Sequence, residues 1–501
     1  MIAKDWSLFD LNKYIKFILV LPITLLQTSC MVGPNFHSPV PPKVKKFTEK
    51  TLPAKTVSTP GAGGQAQKFL ADKDIPLLWW ELYHSPELNQ LIRMGLSNSP
   101  NLAAASAALR EAQENLKVQI GNSMWPAIDA TQSVQRQRYA GVQIGLPTDS
   151  QTFNLVYTYF NLSYTLDVFG GARRQIEALK AQVDYQQFQV MAAYLTLTSN
   201  IVTTSVAMAS FQAQINATLD LIKAEQGLLN ILNKQYRLGA VSRENVLTQE
   251  TLLQQTKATL PPLQKSLSQA KHTLTTLVGT FPEVSLPVIH LDSLHLPTEL
   301  PISLPSNLVR QRPDVRAAEA LLHQACAQIG VATANLFPQF TINANEGWLN
   351  TSFANLFTKR HEVWALTGQV VQPLFHGGAL MAQRRSAVAA YQQTAAQYRQ
   401  TVLQAFQNVA DVLTGIEVDA RTLQAQIRAE NAARAALNLT SKQYRLGGVS
   451  YINLLNAQQQ YQQTRITRIQ AQALRYSDTA ALFQALGGGW WHKPWCVKEC
   501  L

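Results

Sequence analysis

Residues 234–247 read KQYRLGAVSRENVL, and residues 442–455 read KQYRLGGVSYINLL. The two stretches lie 208 residues apart (442 − 234 = 208), and ten of their fourteen positions are identical. A repeat over this distance indicates a duplicated structural unit. Long helical patterns flank both copies. The chain is therefore predicted to contain two helical hairpins, each with a short turn at its tip.

Glycine and serine are predicted to set the helix ends at each tip. Gly239 and Gly447 follow a leucine and are expected to terminate the incoming helices, because glycine adopts the left-handed conformation at low cost. Ser242 and Ser450 then occupy the position of an N-cap residue for the outgoing helices. The tips, about 236–243 and 444–451, are interpreted as the functional end of the molecule.

The composition favours helices that pack together or line a neutral cavity. Of the 501 residues, 46% are hydrophobic and only 15% are charged, so the helical surfaces carry few charges. The net charge is +12, but the basic residues are scattered without a basic run or aromatic interleaving, which argues against nucleic-acid binding. The sequence contains no phosphate-binding loop, zinc-protease motif or nucleophile elbow. We therefore expect no enzyme activity, no metal and no diffusible cofactor.

The N-terminus has the pattern of a secretory signal, predicted to span residues 1–29. Two lysines precede an apolar run of about ten residues, which is too short to span a bilayer, where about 20 are needed. Residues 30–75 are rich in Pro, Lys and Thr and are predicted to form an extended arm without its own core.

Two regions are predicted to form strand hairpins, at about 127–168 and 338–375. In the first, four apolar residues alternate with polar ones: Phe160, Leu162, Tyr164 and Leu166. Strands with one apolar and one polar face suit a barrel wall that faces lipid outside and a polar lumen inside. A half-buried soluble sheet shows the same alternation, so the pattern alone leaves that alternative open.

The remaining segments follow the duplication. From Ala172 a helical pattern continues to Leu238, which corresponds to a helix on the order of 100 Å long. Pro261 and Pro262 are expected to break or kink the returning helix. The predicted organisation is a first repeat at 76–279, a Pro-rich connector at 280–309, a second repeat at 310–486 and a tail at 487–501.

This order of parts resembles the TolC family of outer-membrane efflux proteins, and more narrowly the lipoprotein branch that serves tripartite, RND-type pumps. The two tips are part of that resemblance. The other strings that carry it are CMVGPNF from Cys30, WWELY from Trp79, LDVFG from Leu166, RPDVRAAE from Arg312, QPLF from Gln372 and LGGGW from Leu486.

The resemblance implies a mainly helical fold with a transmembrane β-barrel portion. Each protomer would give four strands, and a homotrimer would close a 12-stranded barrel in the outer membrane above a periplasmic helical tunnel. The sequence supports oligomerisation independently, because four strands cannot close a barrel and an open edge is not tolerated in lipid. Cyclic symmetry is the usual closed arrangement.

The resemblance also implies the functional residues. Cys30 would carry a covalent lipid, although Gln27 replaces the leucine usually found three residues before such a cysteine. Val241 and Val449 are expected to be exposed at the tips, where they would meet a periplasmic adaptor. The full set of expected docking residues is Leu238, Gly239, Val241, Ser242, Leu446, Gly447, Val449 and Ser450.

The expected periplasmic aperture lies beside the tips. Relatives often place aspartate at the positions of Asn245, Asn453 and Asn456, and asparagine there predicts weaker cation selectivity than a ring of aspartates. Four further residues lie one turn away and are expected to tie neighbouring helices together: Tyr236, Arg237, Tyr444 and Arg445. For the two arginines, plain solvation is the alternative.

The function implied is a passive duct that exports small toxic compounds, such as drugs or metals, from an inner-membrane transporter to the outside. The protein would be lipid-anchored in the outer membrane and extend into the periplasm. A type I protein-secretion duct and a lipid-tethered coiled-coil scaffold without a pore are the alternatives. The sequence identifies neither the substrate nor the role of Cys496 and Cys500.

Overall fold

The computed structural model describes residues 31–44, 46–49, 51–71, 73–140, 150–302 and 305–492. The predicted signal, Cys30, Cys496 and Cys500 lie outside these ranges. The described strands are β1 (Lys68–Ala71), β2 (Ala127–Tyr139), β3 (Gln151–Leu166), β4 (Glu299–Ile302), β5 (Gln339–Asn350) and β6 (Glu362–Val371). The described α-helices are α1 (Pro86–Asn98), α2 (Pro100–Met124), α3 (Gly171–Arg237), α4 (Arg243–Leu277), α5 (Pro305–Gln311), α6 (Pro313–Ala334), α7 (Ala379–Arg445) and α8 (Tyr451–Ala485).

The long helices confirm the predicted duplication. Helices α3 and α7 each have 67 residues, and α4 and α8 each have 35. The first residues of α3 and α7 are 208 positions apart (379 − 171), and those of α4 and α8 are also 208 apart (451 − 243). The two copies therefore share one register from the start of the first long helix to the end of the second.

Helix α4 continues through Pro261 and Pro262, so the chain does not break there, and the alternative of a kink stays a prediction. Each proline lacks a backbone N–H and removes one helical hydrogen bond, at a cost of about 3 kcal/mol. The flanking leucines, glutamines and lysines are good helix formers and keep the helical conformation on both sides. The proline pair therefore lies inside a helix that continues for fifteen residues beyond it.

By its internal contacts the chain divides into two compact units. Unit 1 comprises Met1–Pro39, Arg110–Tyr185 and Ala318–Tyr398, and it contains the four-stranded sheet. Unit 2 comprises Val40–Leu109, Gln186–Ala317 and Arg399–Leu501, and it contains both tips. Helix α3 is long and apolar enough to cross a membrane, but its apolar stretch is mostly buried inside the protein, as in a core helix.

The sheet of unit 1 has the strand order β2-β3-β5-β6, and all neighbours are antiparallel. Its register places Phe160 opposite Ala130 on one side and opposite Glu346 on the other, and Glu346 in turn lies opposite Trp364. Both predicted strand hairpins are present. Strands β2 and β6 form the two edges of the sheet within one chain.

The predicted arm and connector pair with each other in unit 2. Strand β1 lies in the arm and pairs in parallel with β4 of the connector. Beside it, the fully buried Gln67 donates from Nε2 to the Pro297 carbonyl and to Thr479 Oγ1, both at 3.0 Å. The arm thus has no core of its own, as expected, but it is fixed against the repeats.

Aromatic residues close the core of unit 2. Trp79 is fully buried and stacks on Phe483 with ring centroids 5.2 Å apart. Tyr83 is also fully buried and donates to the Tyr476 carbonyl at 2.8 Å. At the start of the tail, Trp490 donates from Nε1 to a backbone carbonyl at the end of α5 at 2.6 Å.

Candidate functional site

The two tips have the same backbone. In the first, the amide of Ala240 donates to the Gln235 carbonyl at 2.8 Å, and the amide of Gly239 donates to the Tyr236 carbonyl at 2.9 Å. This pair of bonds is the Schellman motif, and Gly239 takes the left-handed conformation it requires, with φ +72°. The second tip has the equivalent bonds, at 2.9 and 3.0 Å, and φ is +77° at Gly447.

The N-caps of the outgoing helices differ between the copies. Ser242 accepts a hydrogen bond at Oγ from the amide of Asn245 at 3.4 Å, as predicted. Ser450 has the same extended backbone, but its side chain makes no capping bond. The amide of Asn453 instead donates to the Ser450 backbone carbonyl at 3.1 Å. The second tip therefore keeps the geometry of the cap without its side-chain bond.

The tips expose leucine rather than valine. Leu238 is 83% exposed and Leu446 is 87% exposed. The predicted exposure of the valines is wrong, because Val241 packs against a hydrophobic cluster below the tip and Val449 is half-buried. The prominent apolar feature of each tip is thus a single leucine beside a glycine.

The hydrophobic cluster below the tips, which we call the tip cluster, joins the two repeats. It contains residues of α3, α4 and α8, so the second hairpin packs into the first. Tyr444 lies at its edge, and the ring of Tyr444 contacts that of Tyr451 at 6.0 Å between centroids. The buried members are Leu229, Leu232, Val246, Leu252, Leu253, Tyr451 and Leu455.

A buried polar chain runs beside the tip cluster. Thr256 donates from Oγ1 to Glu225 Oε1 at 3.1 Å, and Gln249 donates from Nε2 to the Glu225 backbone carbonyl at 3.2 Å. The hydroxyl of Tyr451 donates to Gln249 Oε1. Burial raises the pKa of Glu225 to about 7 and also raises the pKa of Tyr451. These bonds connect α3 to α4 and α4 to α8.

The predicted aperture residues have unequal surroundings. Asn453 and Asn456 are exposed on the first turns of α8, whereas Asn245 is half-buried. Arg445 donates from Nε to the Ser441 carbonyl of its own helix at 3.3 Å. Arg237 and Tyr236 are exposed. Among the four residues expected to tie helices together, Tyr444 does so through its contact with Tyr451. The assignment of an aperture stays a prediction.

The four-stranded sheet presents an apolar face. Phe160 lies on this face, half exposed, with Leu162, Tyr164 and Leu166 following on alternate positions and partly buried. The register places four more apolar residues on the same face, and each is more than half exposed: Ile128, Trp364, Leu366 and Val370. The opposite face carries amides and hydroxyls, and Asn161 there donates to Thr131 Oγ1 at 3.2 Å.

Unit 1 also holds the start of the arm in a polar socket. Arg174 is 1% exposed and donates to the carbonyl of Val32 at 3.1 Å, the carbonyl of Gly33 at 3.2 Å and Asn35 Oδ1 at 2.7 Å. It also pairs with Glu177 at 2.6 Å. Three hydrogen bonds from one buried guanidinium thus fix the first described residues after Cys30.

Helix α6 forms the other side of this socket. A side chain at Gly33 would meet the backbone of Gly330 at 2.5 Å, so this close approach requires glycine. The ring of Phe36 stacks on His323 with centroids 4.4 Å apart. Cys326 is buried, and its thiol donates to a carbonyl of the same arm segment at 3.8 Å. The sequence pattern of the arm did not predict this socket.

Within the described residues, no group of three or more His, Cys, Asp or Glu side chains is placed to hold a metal ion. The described tips expose leucine, glycine and serine to solvent.

Comparison with known proteins gives a consistent result over most of the chain. A family model described as "Outer membrane efflux protein" matches residues 91–280 and 304–488. The toluene efflux pump outer membrane protein TtgC of Pseudomonas putida is 27% identical over 488 residues, 95% of this chain and 96% of the relative. The probable outer membrane lipoprotein SilC of Salmonella typhimurium is 26% identical and covers 95% of this chain and 99% of its own.

Among solved structures, the outer-membrane channel OprN superimposes with a TM-score of 0.83 at 25% identity. The match covers 92% of this chain and 100% of that chain. The similarity therefore extends over both repeats and the sheet.

Proposed function

Because this chain belongs to the outer membrane efflux protein family, we propose that it forms the exit duct of a tripartite efflux system. The outer membrane is its location, as the family model and its relatives indicate. One observation supports the proposed role as an exit duct. A sheet with an exposed apolar face and two long helical hairpins with leucine-tipped turns are built into one duplicated chain.

The proposed duct is a homotrimer. Four strands leave β2 and β6 as unpaired edges within one chain, and unpaired backbone groups are not tolerated in the hydrocarbon of a bilayer. Pairing β6 of one protomer with β2 of the next removes both edges and keeps the antiparallel alternation. Three protomers would then close a barrel of twelve strands with a polar lumen.

The tips are the proposed docking surface for a periplasmic adaptor protein. Leu238 and Leu446 leave almost all of their surface in water, although a buried leucine contributes about 1.5–3 kcal/mol. Gly239 and Gly447 beside them have open space around their Cα atoms. An adaptor could therefore bury each leucine and approach the backbone closely. Energy for transport would come from an inner-membrane transporter bound to the adaptor.

A lipid on Cys30 would anchor the duct beside the sheet. Met31, the next residue, lies against Gly170 at the corner between β3 and α3, where a side chain on Gly170 would meet Met31 at 2.6 Å. The name of SilC as a probable lipoprotein supports this modification.

The proposed cargo is a small toxic compound, since TtgC is named as a toluene efflux component. A protein-secretion duct is the alternative within transport. A scaffold without a pore is a weaker candidate, because it would have no use for an exposed apolar sheet face. On that face Phe160→Arg should cost about 2–4 kcal/mol if the residue lies at mid-bilayer. Normal assembly of this variant would favour the scaffold.

The docking proposal is tested by photo-crosslinking in cells. A photoreactive amino acid is placed at Leu238 or Leu446, with Leu219, exposed on α3 but nineteen residues before Leu238, as the control position. We expect the tip positions, but not Leu219, to capture a periplasmic adaptor. Capture of the protein's own protomers alone, at normal outer-membrane levels, would mean that the tips only seal the duct.

A further inference from the structure

The end of the four-stranded sheet opposite its helices is here called the distal end. All four helices that join the sheet (α2, α3, α6 and α7) attach at the other end, so only the β2–β3 and β5–β6 connections lie distally. Residues 141–149 of the first connection are outside the described residues. The second connection, 351–361, is fully described and carries features that a simple turn does not need.

Two arginines reach the distal end on the apolar face. Arg136 and Arg138 are exposed. They follow Ala130 by an even number of residues on β2, and Ala130 lies opposite Phe160. They therefore share the face of Phe160. Arg136 is six residues beyond Ala130, about 20 Å along the strand. With a strand tilt near 40°, the arginines stand at the upper border of an apolar band about 25 Å tall.

The β5–β6 connection folds back onto the same face. Asn350 donates from Nδ2 to the Ala354 carbonyl at 2.9 Å, and the ring of Phe357 meets Trp348 at 5.3 Å between centroids. Leu356 is 1% exposed, and Val156, which lies opposite Asn350, is 2% exposed. The connection is thus an ordered flap whose one buried side chain is Leu356.

The flap leaves two aromatic rings in the open beside basic residues. Phe353 is 58% exposed and Phe357 is 65% exposed. Lys359 and Arg360 follow directly and are also exposed. A soluble surface gains nothing from exposed phenylalanines, whereas an outer-membrane barrel carries girdles of aromatic residues at both of its membrane interfaces.

The charge at the distal end is unbalanced. Among the residues that the structure describes, Arg136, Arg138, Lys359 and Arg360 form no ion pair. Glu362 is the acidic residue closest in sequence to Arg360, at the first position of β6. It lies opposite Trp348, and Glu346 lies two residues beyond Trp348 on β5. Among the described residues near this end, four cations face two carboxylates, which leaves a net positive surface.

We propose that these six residues, Arg136, Arg138, Phe353, Phe357, Lys359 and Arg360, bind the phosphorylated headgroup of an outer-leaflet lipid. Guanidinium groups make paired hydrogen bonds to phosphate oxygens, and lysine adds a point charge. The phenylalanines contact the upper part of the acyl chains. The combination of cation and exposed aromatic on a lipid-facing surface specifies an anionic lipid rather than a soluble anion.

This inference rests on the proposed function, because the distal end faces outward only if the helices lie in the periplasm. The trimer would strengthen the site. Closing the barrel places the start of β6 beside the end of β2 of the next protomer, and so brings the flap of one subunit to the arginines of its neighbour.

The test measures binding of diphosphorylated lipid A to the full-length detergent-solubilised protein by microscale thermophoresis. The double variants R136Q/R138Q and K359Q/R360Q each remove two charges. R384Q/R385Q removes two exposed charges from α7 at the opposite end of the sheet and is the matched control. We expect each distal double variant to bind at least about tenfold more weakly, and the control to bind like the wild type. Dephosphorylated lipid should bind the wild type more weakly.

Equal binding by the distal variants and the wild type would overturn the proposal. So would an equal loss in the R384Q/R385Q control, which would indicate unspecific attraction, or complete displacement of the lipid by millimolar inorganic phosphate, which would indicate a generic anion site. Trimer mass and conductance are measured on the same samples. Lipid binding by protein that forms no conducting trimer would support the patch and refute the proposed duct.

Discussion

Replacing Glu225 with glutamine is expected to stabilise the region below the tips at neutral and alkaline pH. The carboxyl group is 1% exposed, and its Oε2 has no hydrogen-bond partner among the described residues. Burial raises its pKa from 4.5 to about 7. That difference corresponds to about 3 kcal/mol, at 1.36 kcal/mol per pH unit.

The direction of the pH dependence follows from the raised pKa. Between about pH 4.5 and pH 7 the unfolded chain has lost the Glu225 proton while the folded protein still holds it, so stability falls as the pH rises through this window. Above pH 7 both the folded and the unfolded protein have lost this proton, so the stability falls no further. Glutamine keeps the hydrogen bond from Thr256 and carries no charge. E225Q should therefore match the wild type near pH 4 and exceed it by up to about 3 kcal/mol at pH 8.

The measurement is urea unfolding of the helices by circular dichroism at several pH values, in one detergent. Glu250 is exposed on α4, and E250Q is the matched control, which should show no such pH-dependent difference. A constant difference between E225Q and the wild type from pH 4 to pH 8 would refute the argument. The argument would also be refuted if the stability of E225Q relative to the wild type were lower at pH 8 than at pH 5.

Three further predictions concern the arm, the turn and the aperture. Arg174→Met removes a buried guanidinium from two arm carbonyls and from Glu177, which is partly exposed and keeps its contact with His323. We therefore expect a loss of about 1–3 kcal/mol and faster proteolysis of the arm. Gly447→Ala should lower the free energy of unfolding by about 1–2 kcal/mol, because φ is +77° and strain in the left-handed conformation is the one penalty, with no neighbouring atom in the way. Gly448→Ala is the control, since φ is not positive there, and its thermal midpoint should fall less. In planar bilayers, the reversal potential across a salt gradient should show weak cation preference; a strong preference that survives Asn453→Ala and Asn456→Ala would contradict the aperture assignment.

The parts of the fold that sequence predicts well are those specified by neighbouring residues. Gly239 and Gly447 end their helices because each satisfies a local backbone requirement. The alternation from Phe160 to Leu166 identified its strand because side chains on a strand have a period of two. The tip sequence recurs 208 residues later, and that recurrence is enough to predict the duplication.

The parts that sequence missed depend on contacts between distant residues. Strands β1 and β4 are only four residues each and pair across more than two hundred positions, so neither carries a strand pattern of its own. In the sequence, Arg174 looks like an ordinary helix residue, because its bond to the arm joins positions more than a hundred residues apart. The packing of Val241 could not be predicted from nearby residues, because its partners in the tip cluster come from three different helices.

The proline pair shows a different limit. Pro261 and Pro262 lower the local preference for helix, but the cost is fixed and the rest of α4 outweighs it. A local penalty predicts a break only when the surrounding segment cannot compensate, and that balance is not visible in the residues themselves.

The duplication has a consequence for the stoichiometry of any complex at the tips. Three chains with two tips each would present six turns around one axis, alike in backbone but of two chemical kinds, since one cap has its serine bond and the other does not. Identical partner subunits could fill all six only if each tolerated both kinds. A partner that recognised only one kind of turn would bind at every second turn, so three partner subunits would bind instead of six. Counting bound adaptors per trimer would therefore show whether the partner distinguishes the two halves of this chain.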